Sequence, residues 1–207
     1  MALSKKDKLN NLSMSYEQYF GEMALDEQEI NERISLAQEL EDVFLGLFLE
    51  VDITQETEEY DRWDEFEDRL YSDVLRIGMA FLGITYITAA LNDYASQLAT
   101  NITNTTRQNM GVAWYTSLDR ARYDAENEAN SIGNYRQQVK AINQGYTQKT
   151  WVTMQDNRVR HTHVEVDGET IGIFDYFEVG NSKMLYPKDA NGSGEEVINC
   201  RCTCEYS

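Results

Sequence analysis

The chain has 207 residues, 42% of them apolar and 26% charged, which is ordinary for a globular protein and enough for one or two domains with proper cores. Its formal net charge is −18, and the acidity is uneven: residues 1–80 hold 21 Asp/Glu against 7 Lys/Arg, whereas residues 81–207 hold 15 against 11. Binding to nucleic acid without regard to sequence depends on cationic side chains displacing counterions, so the N-terminal part is not expected to do it. Its acidic face suits solubility or a basic protein partner.

Met1–Asn11 is polar and lysine-bearing and no apolar run follows it, so no secretory signal is expected. A first amphipathic helix is predicted from about Glu27 to Glu50, with Ile30, Ile34, Ala37, Leu40, Phe44 and Leu47 at spacings of three and four. A second carries Tyr60, Trp63, Phe66, Leu70, Val74, Ile77 and Phe81, with Asp52 and Thr54 as candidate caps. The charge run Glu56–Asp68 reads as a solvated face around that stripe, or in part as a surface for a basic partner. Ile77–Leu91 is the most apolar stretch, but it is too short for a bilayer and contains Thr85, Tyr86 and Thr88. Gly83 marks a turn before a third helix with Leu91, Tyr94, Leu98 and Ile102 on one side. A fourth carries Ala125, Ala129, Ile132, Val139 and Ile142 and stops at Gly145.

Beyond Gly145 the texture changes. Thr150–Met154, His163–Val166, Thr170–Phe174 and Val197–Glu205 are rich in β-branched or aromatic residues. Asp167-Gly168, Gly180-Asn181 and the Asn191–Gly194 stretch separate them, which is the pattern of strands and turns. The expected fold is therefore α+β: a long-helix, acidic N-terminal region over residues 1–147, then a small mixed α+β domain over residues 148–207.

The residues with chemistry cluster in that second part. Asp156, Arg158, Arg160, His161 and His163 lie just before the Asp167-Gly168 turn. Two arginines and two histidines beside a carboxylate can hold a phosphate or move protons; they can equally form an ion-pair network that braces a domain with a small core. Cys200, Cys202 and Cys204 alternate, so on a strand they share one face. With His163 or His161 as a fourth ligand they resemble part of a zinc site, but C-x-C-x-C departs from the usual C-x(2–4)-C spacing and also suits a buried strand face. No cofactor is expected from the sequence beyond that possible zinc. Three crowded cysteines are not a disulfide framework and point to a reducing compartment. Asp189–Gly194 reads as an exposed loop. No phosphate-binding glycine loop, nucleophile elbow or paired-histidine zinc-protease motif is present.

The order of these elements resembles the C-terminal domain of phage minor head proteins of the Mu F-like family. The resemblance runs from Trp151 through Asp156, Val159, Arg160 and His163 to Asp167-Gly168. It continues through Phe174 and Phe177 to Tyr186-Pro187-Lys188-Asp189 and ends at Asn199-Cys200-Arg201-Cys202. Upstream, Glu128, Asn134 and Gly145 fit the family's preceding helix, whereas Glu126 and Asn127 stand where the family commonly has Arg and Thr. His161 and Cys204 are additions to the pattern.

The resemblance implies a minor head protein in head morphogenesis, bound at or near the portal and assisting procapsid assembly, DNA packaging or delivery. It would be made in the host cytoplasm and then enter the phage head. Its implied partners are the portal and other head proteins, with no membrane and no sequence-specific nucleic acid. No enzymatic activity is implied. The alternative is a nuclease-like or other phosphoryl-group enzyme, with His163 as acid/base partnered by Glu165 or Asp156, and Arg160 and Arg201 stabilising an anionic transition state.

Overall fold

The protein is described here by a computed structural model covering residues 15–55 and 61–207. Its helices are α1 (Tyr16–Gly21), α2 (Glu27–Gln55), α3 (Trp63–Leu82), α4 (Ala89–Gln108), a 3-10 turn (Ala113–Thr116) and α5 (Leu118–Asn143). There follow β1 (Gln148–Val152), α6 (His161–Glu165), β2 (Thr170–Gly172), β3 (Phe177–Val179), β4 (Ser182–Met184), α7 (Gly194–Val197) and β5 (Thr203–Tyr206). Long helices followed by small sheets make this an α+β protein. Among the described residues, no helix is long and apolar enough to cross a membrane.

The described residues form two compact units, one within Ser35–Ala125 and one made of residues 15–34 together with Glu126–Ser207. Helix gives way to strand between Asn143 and Gln148, whereas the units divide inside α2 and α5.

In the Ser35–Ala125 unit the expected stripes point inward: Ala37, Leu40, Phe44 and Leu47 of α2 are buried, as are Trp63, Phe66, Leu70, Val74 and Ile77 of α3. Phe48 stacks on Phe66 with ring centroids 6.5 Å apart. Gly83 ends α3 in the left-handed region at φ 66°, which glycine adopts without a Cβ penalty. The inner face of α4 matches the expected one at Leu91 and Ile102 and differs at Tyr94 and Leu98. Leu91, Ala95, Ala99, Ile102 and Thr106 are buried, while Tyr94 and Leu98 are only half-buried. On α3, Gly78 makes room for Leu91: a Cβ there would lie 2.8 Å from the leucine side chain.

The expected caps of α3 are also corrected. Asp52 lies within α2 and accepts a hydrogen bond from Thr116 Oγ1 at 3.2 Å; Arg62 precedes α3 without a side-chain cap bond. Tyr60, the Thr54 side chain, the Glu56–Tyr60 part of the charge run and Met1–Asn11 lie outside the described residues.

The first described helix of the other unit is one that periodicity did not reveal: α1 is capped by a reciprocal Ser15/Gln18 capping box and buries Tyr16, Tyr19 and Phe20. The first turns of α2 meet α5 through charge. Arg33, fully buried, donates to Glu29 at 3.0 Å, to Asn134 Oδ1 at 3.0 Å, to Gln137 Oε1 at 3.0 Å, and also to Asn130 Oδ1. Gly133 makes room for this guanidinium: a Cβ there would lie 2.5 Å from its carbon.

The sheet order is β2-β1-β5, antiparallel throughout, with Trp151 opposite Cys204; β3 and β4 form a separate hairpin. The Gly180-Asn181 pair is that hairpin's turn, with Gly180 at φ 58°. The core holds Trp151, Val166, Phe177, Val179, Met184, Cys200, Cys202 and Cys204. His163–Val166, read as strand-like, is instead mostly the single helical turn of α6. Arg160 caps it in extended geometry and its carbonyl accepts from His163 N at 3.0 Å. A run this short has too few residues for β-branching to decide its conformation.

Candidate functional site

The polar centre of the Glu126–Ser207 segment is built by a ladder on α5. Asn127, Asn130, Asn134 and Gln138 recur at three and four, so they share one face. Asn130 Nδ2 donates to the Cys200 carbonyl at 2.9 Å. Asn134 Nδ2 donates to the carbonyls of Pro187 at 2.9 Å and Cys202 at 3.1 Å, and Gln138 Nε2 to that of Ile173 at 2.8 Å. Asn127 Oδ1 accepts from Asn199 N at 3.0 Å and from the ammonium of Lys188. The helix therefore satisfies the backbone of loops that have no ladder of their own.

Each motif residue has a definite place. Trp151 is fully buried, edge-on to Phe177 at 5.1 Å and to His163 at 5.5 Å. Asp156 accepts from Arg201 Nη2 at 2.6 Å and from Arg158 N at 2.9 Å, while Glu22 of the turn after α1 pairs with Arg158 at 2.9 Å and Arg201 at 3.3 Å. Arg160 donates to the Ile198 carbonyl. Asp167 Oδ1 accepts from Thr153 N at 2.8 Å, and Gly168 N donates to the Trp151 carbonyl at 2.8 Å. Tyr186 packs its ring 6.0 Å from Tyr135, and burial pushes its hydroxyl pKa above the ordinary value.

Asp189, expected in an exposed loop, is buried. Its carboxylate takes Leu185 N at 2.7 Å and Asn191 N at 3.0 Å, knotting the Tyr186-Pro187 turn from within. Asn199 sits at φ 58°, a left-handed conformation that asparagine tolerates. Its backbone is held by Asn127, while its own buried side-chain nitrogen makes no hydrogen bond among the described residues.

Burial raises the Asp156 carboxyl, but the hydrogen bonds from Arg201 and the Arg158 backbone outweigh it and hold the group below its ordinary value of 3.8. A lowered folded pKa stabilises the fold fully above the ordinary value, and that stability is lost as pH falls through the folded one. Asp156→Asn is expected to destabilise the protein by about 1–2 kcal/mol at neutral pH, discounted for partial exposure. Chemical denaturation at neutral pH and again in acid checks this: the gap between wild type and variant should narrow as the carboxyl protonates.

His163 is only 1% exposed. Its Nε2 faces Glu196 Oε2 at 3.0 Å, and its Nδ1 faces Cys202 Sγ at 3.3 Å and Cys200 Sγ at 3.6 Å. The expected partners lie elsewhere: Asp156 is with the arginines, and Glu165 is with the exposed His161 at 3.2 Å. Glu196 is held by Thr162 Oγ1 at 2.8 Å, and Gly180 leaves the space it occupies, since a Cβ there would lie 2.5 Å from its oxygen. Nothing in Gly194-Glu195-Glu196 distinguishes this glutamate from its neighbour by sequence.

Burial raises the Cys200 thiol, but hydrogen bonds from Cys202 and His163 and the charges of His163 and Lys188 bring it well below its ordinary value. Cys202, hydrogen-bonded to Cys200 and buried, moves well above. Cys204 does not join this group. It lies in β5 proper, beside Lys149 and Tyr206, where burial pushes its thiol to about 12. Cys200 and Cys202 precede that strand, so the regular alternation that would put three sulfurs on one face starts too late. A small pocket is lined by His163, Cys200 and Cys202 together with Arg158, Arg160, Asn199 and Arg201.

The family described as Phage Mu protein F like protein matches residues 88–205, more than half of the chain. The chain belongs to this family. It is accordingly a phage head-related protein. No curated protein and no solved structure matches it. The Mu F-like match begins well upstream of Trp151, and the asparagine ladder on α5 gives that extent a physical sense, because the loops carrying the C-terminal motifs depend on α5 for their hydrogen bonds. Where the Mu F-like pattern commonly has Thr, Asn127 supplies the acceptor that holds Lys188 and Asn199.

Proposed function

We propose that this chain is a minor head protein that acts in head morphogenesis by docking at or near the portal and assisting assembly, packaging or delivery. Family membership is the observation that carries the reading. The acidic helices supply the docking surface: Glu39 and Asp42 of α2 and Asp64, Glu65 and Asp68 of α3 are all exposed. A carboxylate-rich face recruits a basic patch on a partner and repels DNA, which suits a protein that works beside packaged genome without binding it.

An assembly role, rather than a phosphoryl-transfer one, is supported by His163. It is buried, and both of its ring nitrogens are engaged inside the protein. Affinity capture with the tagged full-length chain, from cells making the portal and the other head proteins, tests the proposal. Recovery of portal is the expected result, and capture of no head protein would sink the reading.

A further inference from the structure

His163, Cys200 and Cys202 present one imidazole nitrogen and two sulfurs within 4.8 Å of one another, all buried. In a tetrahedral zinc site, with Zn–S about 2.3 Å and Zn–N about 2.0–2.1 Å, nitrogen and sulfur ligands lie about 3.6 Å apart. The Nδ1 to Sγ distances here are 3.3 and 3.6 Å. We propose that these three residues form a Cys2His site for zinc, oriented by Glu196.

Three further observations fit this chemistry. Zinc-bound histidines commonly direct the second ring N–H to a carboxylate, which fixes the tautomer; here Nε2 faces Glu196 at 3.0 Å, and Thr162 holds that carboxylate. The backbone N–H of Cys202 points at Cys200 Sγ at 3.4 Å, a contact that favours a thiolate. Thiolate and imidazole donors select zinc over magnesium or calcium, which take oxygen. Loading releases one proton from each thiol to solvent, and the neutral imidazole binds through its Nδ1 lone pair. The fourth tetrahedral position is taken by solvent from the adjoining pocket. Cys204 has no part in it.

The full-length chain, purified without chelator and with its thiols reduced, is the material for the test. About one zinc per chain is expected by elemental analysis. After removal of zinc, added Co(II) should give the visible bands of tetrahedral cobalt together with sulfur-to-cobalt charge transfer in the near ultraviolet. Cys204→Ser should keep the metal and the spectrum, Cys202→Ser should lose about half of the charge-transfer intensity or all of the metal, and Glu196→Gln should weaken zinc binding about 10–100-fold. The wild-type cobalt spectrum does not depend on whether any variant folds. No zinc and no cobalt bands in folded, reduced wild type would overturn the proposal. So would a Cys200–Cys202 disulfide in freshly isolated protein, or loss of metal in Cys204→Ser equal to that in Cys202→Ser. Unchanged affinity in Glu196→Gln would remove Glu196 from the site.

Discussion

Replacing Arg33 with alanine is expected to cost about 3–5 kcal/mol, the range for removing one partner from a buried charged network. The reason lies in what the guanidinium leaves behind. Burial lowers the pKa of Arg33, and the charge of Glu29 and their hydrogen bond offset part of that lowering. Without Arg33, Glu29 keeps only Arg136, at 2.6 Å, among the cations described around it. Asn130 Oδ1 and Asn134 Oδ1 lose their donor inside the protein, where an unmet acceptor costs about 1–3 kcal/mol. Gly133, which has no side chain, then faces a cavity.

Arg33→Met restores volume without donors and should recover little of the loss. Arg33→Lys restores charge but cannot fork to four acceptors, and should recover part. Thermal melting of the full-length variants checks the series, with a fall of roughly 10 °C or more for Arg33→Ala. A fall no larger than that of the half-exposed Arg158→Ala would contradict the network's role.

The second large effect is expected at Trp151. Its indole is the largest fully buried side chain and carries the contacts to Phe177 and His163. Trp151→Ala should cost about 3–5 kcal/mol, because the cavity opens in a core too small to collapse around it. Trp151→Phe keeps an aromatic ring against both neighbours and should lose clearly less. Urea denaturation followed by circular dichroism separates the two, and near-equal losses would show that the ring contacts carry little.

Much of the helical part was legible because its stripes are made of large apolar residues. Phe44, Leu47, Trp63 and Phe66 announce their faces at spacings of three and four. The reading failed where burial is achieved by small or polar residues. Beside the expected Leu91 and Ile102, the inner face of α4 buries Ala95, Ala99, Thr103 and Thr106, and that of α5 includes Asn130, Asn134 and Gln138, which count against a core position on any hydropathy scale. The 3–4–4 spacing of that polar ladder was present in the sequence, but its meaning depends on which loops it reaches. Asp156, Arg160, His163 and the cysteines stand out by residue type, so the site was visible as a set. Its wiring was not. Glu196 becomes the partner of His163 only because the Gly180 turn leaves it room, and Cys204 parts from Cys200 and Cys202 because β5 begins at Thr203. Pairings across tens of residues are decided by the fold and leave no local trace.

The measurement that tests the head-assembly account most directly is portal recovery per mole of captured chain, for wild type against Glu39→Gln/Asp42→Asn/Asp64→Asn/Glu65→Gln/Asp68→Asn. All five positions are exposed, so the variant should melt close to wild type. The account predicts portal with the wild-type chain, and recovery reduced about tenfold or more in the variant at the same salt. Equal recovery by both would contradict docking through the acidic helices, and no portal with either would contradict the portal-bound role itself.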